Sequence, residues 1–239
     1  MTNAATKQPA GKPGLGDMAE IFYAPGAVFG RRRDGAFGLP LVLLAVLAGV
    51  FSFLTSSLTQ AAMHADAMRG MQPAIAAGRM TAEQAARSMA FFEKFGPAFA
   101  VLLFVASPFV VGLVSWVIAR IAGITQALGV AVMIGTFSMF PRLAGMLVGA
   151  ILAAMTPEAE LTSASKLTLS PAHFVDIAAH PGLGQLLIRL DLFVIWAYAL
   201  VGIGMYVTGR STKGQAWATA IGTWVVLSIP AVWGFIRAG

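Results

Sequence analysis

The sequence predicts an all-α polytopic membrane protein, a bundle of five transmembrane helices with short interfacial and amphipathic helices. Its 239 residues are 58% hydrophobic and only 11% charged, whereas a soluble domain is nearer half apolar and a quarter charged. Five apolar runs are each long enough to cross roughly 30 Å of hydrocarbon as a helix. The chain contains no cysteine, which excludes disulfides, thiolate metal sites and cysteine nucleophiles.

Two N-terminal segments precede the spans. Residues 1–16 are small and polar and contain glycine and proline, which predicts a disordered cytoplasmic tail. Residues 17–38 form an interfacial segment, and the transmembrane domain runs from 39 to 239. Its predicted spans are about 39–58, 98–121, 127–154, 187–208 and 216–236.

The interfacial segment combines an apolar helical face with a basic end. Met18, Ile21, Phe22 and Pro25 fall on one face at helical spacing, and three arginines follow at 31–33. This pattern predicts a short helix at the membrane surface. We interpret the arginines as an ordinary juxtamembrane anchor in preference to a specific lipid-headgroup site.

The polar stretch from 60 to 94 is rich in alanine and methionine. Thr81 and Gln84 have the spacing of a capping box, which marks the start of a helix. Because apolar residues such as Met89 recur on one face, we expect an amphipathic helix outside the membrane that leads into the second span. Within that span Pro108 removes a backbone hydrogen bond and predicts a kink.

Ionisable groups lie within two of the predicted spans. In the third, Arg142 follows Pro141, and this pair predicts a broken helix whose freed polar groups need protein or a water-filled cavity around them. Arg189 and Asp191 stand at the head of the fourth. Ionisable residues inside a membrane are costly and often functional. The candidate functional site therefore consists of Arg142, Arg189 and Asp191, together with Pro141 beside the first arginine.

One hypothesis is that Arg142 and Asp191 form an ion pair within the membrane. Arg142 lies roughly 18 Å below the end of the third span, and Asp191 lies between about 6 and 13 Å below the same face, depending on where the fourth begins. A long arginine side chain can bridge the smaller separation. The alternative is that Asp191 and Arg189 lie at the interface and contact water.

The loop before the fourth span carries His173, Asp176 and His180. A Ser-Pro pair at 170–171 predicts the start of a short helix that stops at Pro181. These side chains could in principle share a metal ion, but zinc sites need a tighter ligand set and a supporting shell. The sequence therefore predicts no metal, no cofactor and no catalytic residue.

The formal net charge of +6 is best explained by basic residues at the cytoplasmic ends of the spans and in contact with anionic lipids. No basic tract is interleaved with aromatic residues, so we expect no nucleic-acid partner. Basic residues accumulate on the cytoplasmic side of membrane proteins, and on this ground we predict a cytoplasmic N-terminus. The basic residues on that side are then Lys7, Lys12, Arg31, Arg32, Arg33, Arg120, Arg210 and Lys213, against Arg69, Arg79, Arg87, Lys94, Lys166 and Arg237 on the other, which is a moderate bias.

A pattern of residues in the last two spans resembles a known family. It consists of Asp191, Leu192, Phe193, Ile195, Trp196, Gly202, Gly204 and Lys213. With Phe-Tyr-Ala-Pro-Gly at 22–26, Phe29 and Pro40, it is similar to bacterial members of the Yip-domain family, the Ypt/Rab-interacting membrane proteins. Eukaryotic members commonly have Asp-Leu-Tyr where this chain has Asp-Leu-Phe.

The resemblance implies a five-helix membrane domain, a role in membrane organisation, trafficking or lipid-related processes, and no catalytic site. It also implies a protein of the bacterial inner membrane. We therefore expect a non-enzymatic protein that organises the membrane or partner proteins. Its expected partners are membrane lipids and another membrane or peripheral protein, with a homo-oligomer as a further option.

Two other functional classes are compatible with parts of the sequence pattern. A small transporter, or a lipid or ion conduit, is the alternative, and it would use the broken third helix with Arg142 and Asp191. An intramembrane hydrolase would need a nucleophile and a base, and isolated serines and threonines in apolar helices more often bond to backbone carbonyls. We predict that the protein is not an enzyme.

Overall fold

The computed structural model describes residues 14–177 and 179–238, and all regular structure within them is helical. The α-helices are α1 (Asp17–Glu20), α2 (Pro25–Arg31), α3 (Gly38–Ala76), α4 (Ala82–Ile121), α5 (Leu128–Met155), α6 (Pro181–Leu187), α7 (Leu192–Thr208) and α8 (Lys213–Ala238). Short 3₁₀ helices lie at Glu158–Glu160, Ala164–Leu167, Pro171–Phe174 and Ile188–Leu190.

Within the described residues, four helices are long and apolar enough to cross a membrane, namely α3, α4, α5 and α8. The pair Pro181–Leu190 and Leu192–Thr208 is bent by 48° and provides a fifth crossing if it is one span. Most of each predicted apolar run falls within one of these elements. The all-α polytopic class is therefore confirmed, with four or five spans.

The helices give the bundle two distinct ends. The N-terminal end carries α1, α2 and the turns at 122–127 and 209–212, and the loop end carries the α3–α4 turn and the segment from 156 to 180. Of the predicted disordered tail, residues 1–13 lie outside the described residues. Gly14, at its other end, donates its N–H to Asp17 over 3.3 Å.

The predicted surface helix is two short helices that pack into the bundle. Ile21, Val28 and Phe29 are fully buried, and Phe29 meets Phe137 of α5 edge to face at 6.1 Å. α2 also contacts α7. Burial of these apolar side chains against the transmembrane helices stabilises the segment, so it is part of the core.

The N-terminal half of the bundle is tightly packed around α5 and α7. All residues of α5 from 130 to 141 are buried. A Cβ on Gly204 would lie 2.8 Å from the Ile134 side chain, and one on Gly202 would lie 3.0 Å from the Trp217 ring. The two glycines thus let α7 approach α5 on one side and α8 on the other.

The break in the transmembrane region is not where proline predicts it. α5 continues through Pro141 as one 28-residue helix, so the predicted broken third helix is wrong. A single proline frees only one carbonyl, and surrounding protein tolerates this inside a buried helix. The bend lies at Asp191 instead, between Ile188–Leu190 and α7.

Two further boundaries differ from the sequence prediction. The helix predicted between 170 and 181 is only the 3₁₀ turn Pro171–Phe174, and Pro181 begins α6 where it was expected to end a helix. Proline suits the first helical position because the N–H that it lacks would have no helical partner there. Thr81 and Gln84 form the predicted capping box, but the helix that they start continues unbroken through the second span.

Candidate functional site: an amphiphilic cavity

A cavity of about 700 Å³ opens between α3, α4, α5 and the start of α7. Arg142 and Asp191, which were both singled out from the sequence, lie on its wall. The side of α3 that faces it is polar and carries Thr55, Ser56 and Thr59. These three hydroxyls donate to backbone carbonyls of their own helix, which leaves their oxygens as acceptors.

Arg142 faces this cavity with an exposed side chain. Among the described residues, no hydrogen bond or ion pair to its guanidinium is found. Pro141, one residue earlier, is buried within α5 and lies outside the cavity lining. The proline therefore belongs to the packed half of the bundle, while the arginine belongs to the cavity.

Packing contacts indicate the depth of Arg142. Pro108 lies near the centre of the apolar segment of α4, and Gly135 of α5 packs against its carbonyl. Arg142 follows Gly135 by about two helical turns, or about 10 Å toward the loop end. Because half of the hydrocarbon layer is about 15 Å thick, a long side chain at this depth can reach the head groups.

Asp191 caps helix α7. One carboxylate oxygen accepts from the backbone N–H of Phe193 and Val194 at 2.9 and 3.2 Å, and the other accepts from Leu169 at 2.9 Å. The residue is 8% exposed. Within the described residues no ion pair within 4.0 Å joins it to Arg142, so its charge is held by backbone donors and by the helix N-terminus.

Arg189 connects the bend to α8. Its guanidinium donates to the Leu227 carbonyl at 2.8 Å, and its own carbonyl accepts from the Trp224 indole at 3.2 Å. The side chain is half-buried. These bonds use both the side chain and the backbone of Arg189 to fasten the bend, and they indicate a packing contribution.

The family-pattern residues mainly pack helices against one another. A Cβ on Gly145 of α5 would lie only 2.9 Å from the Phe193 ring, so the ring packs directly against this glycine. Trp196 is half-buried against the core, whereas Leu192 is 56% exposed. Together with Gly202 and Gly204, whose contacts are given above, they keep α5, α7 and α8 close.

The histidines and the aspartate of the loop do not form a metal site in the described part of the chain, where no group of three or more metal-binding side chains is found. His173 lies in the 3₁₀ turn, and its backbone carbonyl accepts from the Lys166 ammonium at 2.7 Å. His180 precedes the first residue of α6. The contacts therefore indicate a loop held by ordinary hydrogen bonds.

An ion-pair cluster at the N-terminal end was not foreseen from the sequence. Arg31 bonds to Asp17 at 2.6 Å and to Glu20 at 2.5 Å, and Arg32 bonds to Asp17 at 2.6 Å. The Arg32 guanidinium also lies 5.1 Å from the centroid of the Phe137 ring. The signal in the sequence is weak, because the partners are separated by a turn whose geometry no local pattern specifies.

The cluster sets the charge state of its members. Burial by itself raises the pKa of Asp17, but hydrogen bonds from Arg31, Arg32 and the Gly14 N–H outweigh it and hold that pKa below its ordinary value of 3.8. Hydrogen bonds to Glu20 and Asp17 raise the pKa of Arg31. Two of the three arginines that we interpreted as a juxtamembrane anchor, Arg31 and Arg32, are therefore bound within the protein, whereas Arg33 is exposed.

Comparisons with known proteins agree with this architecture. The sequence model of the Yip1 domain matches residues 19–234. The chain is 28% identical over 154 residues to the membrane protein YknW of Bacillus subtilis (strain 168), covering 63% of this chain and 64% of that protein. No solved structure matches the chain at a significant level. Since the matched region covers most of the chain, this chain belongs to the Yip1 domain family.

Proposed function

We propose that this protein is a non-enzymatic membrane scaffold that organises a partner membrane or peripheral protein through its α3–α4 hairpin. The observation that supports this proposal is the length of the two helices. α3 has 39 residues and α4 has 40, so each is about 60 Å long at 1.5 Å per residue. The hydrocarbon layer is about 30 Å thick, so roughly half of each helix extends outside it at the loop end.

The base of the projecting hairpin is tied to the loop. Arg69 of α3 forms an ion pair with Asp66 and donates to the Thr162 carbonyl at 2.5 Å. Asp66 in turn accepts from the Ala164 N–H at 2.9 Å. These contacts join α3 to a segment nearly a hundred residues away, and they favour a fixed projection that can present a surface to a partner.

The hairpin carries a cluster of exposed aromatic rings on α4. Phe91 contacts Phe95 and Phe99, with ring centroids at 4.8 and 6.2 Å, and the three side chains are 40–53% exposed. Phe92 beside them is 62% exposed. Clusters of exposed apolar side chains on a protein surface often mark contacts with other proteins or with the membrane.

Two observations weigh against other functions. The Yip1 family is not known as an enzyme family. The three histidines lie on the hairpin (His64) or in the loop from 156 to 180 (His173 and His180). A conduit through the bundle would have to pass α5, whose residues from 130 to 141 are all buried. A scaffold requires neither a reactive group nor a passage.

We extend the proposal to location and orientation. YknW is described as a membrane protein of Bacillus subtilis, and we propose the bacterial cytoplasmic membrane as the site of this protein. The N-terminal end carries Arg33, Arg120, Arg210 and Lys213, which favours a cytoplasmic N-terminus. The hairpin would then project to the outer side, where a cysteine reporter at its tip would react with an impermeant maleimide in intact cells.

The scaffold proposal is tested by photo-crosslinking in native membranes. A photoreactive amino acid replaces Phe91 or, as a matched control, Val117, which is 44% exposed in the other half of the same helix. We expect a protein adduct of one defined mass from the hairpin position and only lipid adducts from the control. The double variant Phe91→Ser/Phe95→Ser should then lose the same protein in co-purification.

Lipid adducts alone at both positions would contradict the proposal. An adduct with the mass of two copies of this chain would show that the partner of the hairpin is a second copy of the chain, and the proposal of a different partner protein would be wrong. Gel filtration of the double variant in detergent checks that the fold is retained.

A further inference from the structure

We propose that the cavity between α3, α4, α5 and α7 binds an anionic phospholipid from the leaflet at the loop end, with Arg142 holding its phosphodiester group. This inference goes beyond the scaffold function and does not depend on it. It rests on an arginine whose guanidinium has no hydrogen bond or ion pair among the described residues, on the size and lining of the cavity, and on the depth of that arginine.

The charge of Arg142 requires compensation. An arginine within the hydrocarbon layer is costly unless it finds a counter-charge, a hydrogen-bond acceptor or water. Its guanidinium offers five donors in a planar fork that matches the oxygens of a phosphate. Since the described residues supply no hydrogen bond or ion pair, a ligand that enters the cavity can meet these donors.

The acidic residues on the wall leave Arg142 free for such a ligand. Asp191 accepts three backbone N–H groups and is 8% exposed. Glu93 lies further from the centre of the bundle, with its carboxylate 3.9 Å from the imidazole of His64. Neither carboxylate forms an ion pair with the guanidinium among the described residues, and both are already close to other donors.

The lining selects an amphiphile over a small soluble anion. A volume of about 700 Å³ lies within the range of about 300–1,000 Å³ that is typical of pockets for organic ligands. Beside the polar face of α3 the wall carries Met63, Phe92, Met146, Phe193 and Val194. These apolar side chains offer a surface for the glycerol backbone and for the first carbons of acyl chains.

The depth of Arg142 fits a lipid that remains in its own leaflet. The side chain begins about 10 Å from the level of Pro108, near the outer part of the hydrocarbon layer. Arginine side chains extend toward the head groups from such positions. A phosphodiester group therefore needs only a small displacement inward to reach the guanidinium.

The test is a lipid titration of the delipidated, detergent-purified protein followed by native mass spectrometry. The probes are dioleoylphosphatidylglycerol, dioleoylphosphatidylcholine and inorganic phosphate. We expect one tightly bound phosphatidylglycerol per chain, at least tenfold weaker binding of phosphatidylcholine, and no displacement by inorganic phosphate at millimolar concentration. Equal affinity for the two lipids would overturn the anionic-lipid assignment, and displacement by phosphate would assign the site to a free anion.

Two pairs of variants locate the site. Arg142→Gln should weaken phosphatidylglycerol binding at least tenfold, whereas Arg87→Gln, which removes an equal charge from an exposed position on the hairpin, should leave it unchanged. Ala100→Trp should also weaken binding by filling the cavity that Ala100 lines, and Leu102→Trp, 61% exposed on the same helix, serves as its control.

The second pair keeps the proposal testable if Arg142→Gln does not fold, because Ala100→Trp leaves the charge in place. Unchanged phosphatidylglycerol affinity in a folded Arg142→Gln protein, or in a folded Ala100→Trp protein, would overturn the proposal.

Discussion

Arg32 and Arg142 lie in the two halves of the bundle and differ in what surrounds their charge. Arg32 is 3% exposed, bonds to Asp17 at 2.6 Å, donates to two backbone carbonyls and lies over the Phe137 ring. Arg142 faces a cavity and has no such partner among the described residues. Both arginines lie among apolar helices, but of the two only Arg32 forms an ion pair within the described part of the chain.

This difference separates structural charge from charge that is available for binding. When one partner of a buried ion pair is removed, the folded protein loses much stability, because the other charge remains buried and uncompensated. An arginine that is open to a cavity carries little of that penalty. The N-terminal half should therefore respond to substitution through stability, and the cavity half through ligand affinity.

The largest effect is expected from Asp17→Asn. The carboxylate and the Arg32 side chain are each 4% exposed, so removing the negative charge leaves Arg32 buried without its counter-ion. We expect the free energy of unfolding to fall by about 3–5 kcal/mol, measured by denaturant titration in mixed micelles with tryptophan fluorescence. The control is Asp34→Asn, at an exposed position, and a comparable loss there would contradict the comparison.

A second prediction concerns the pH dependence of stability. Protonation of Asp17 should cost less stability than Asp17→Asn, because it keeps the shape of the carboxyl group. The pKa of Asp17 is lower in the folded protein than its ordinary value of 3.8. Its charge therefore contributes stability that is fully present above that value and is lost as the pH falls through the lower folded pKa. The difference in Tm between the wild type and Asp17→Asn should narrow below about pH 4, and a constant difference down to pH 2 would contradict this.

The third prediction compares how the two halves tolerate added volume. A Cβ on Gly204 would lie 2.8 Å from Ile134, so we expect Gly204→Val to cost about 1–3 kcal/mol through overpacking. Ala100 faces the cavity, and Ala100→Val should stay within about 0.5 kcal/mol of the wild type. The same unfolding titration measures both, and equal costs would show that the cavity half is packed as tightly.

The apolar spans could be predicted because length and composition determine them locally. Each predicted run of apolar residues lies mostly within a helix, and the Thr81 and Gln84 side chains form the expected capping box. The polar stretch from 60 to 94 was harder to place. Alanine and methionine favour helix without indicating where the membrane ends, so α3 and α4 continue well beyond the predicted spans.

The features that sequence reasoning missed depend on contacts between distant residues. Pro141 removes one hydrogen bond, but whether the helix breaks depends on the neighbours that surround it. Asp191 ends one helical segment and caps the next, which the apolar pattern around it conceals. Asp17 and Arg32 meet only because α1 and α2 fold back on each other, and no periodic signal records this.

The smallest effect is expected for the coupling between Arg142 and Asp191, the pair that the sequence suggested. The two charges share a cavity but form no ion pair within 4.0 Å, and Asp191 is bound to three backbone N–H groups. Through water, two unit charges 4 Å apart interact by about 1 kcal/mol. The double-mutant cycle of Arg142→Gln and Asp191→Asn should therefore give a coupling energy below about 1 kcal/mol, while Asp191→Asn alone weakens the cap by about 1 kcal/mol. A coupling of 2 kcal/mol or more would show that the arginine is compensated inside the protein, like Arg32, and the contrast between the two halves would disappear.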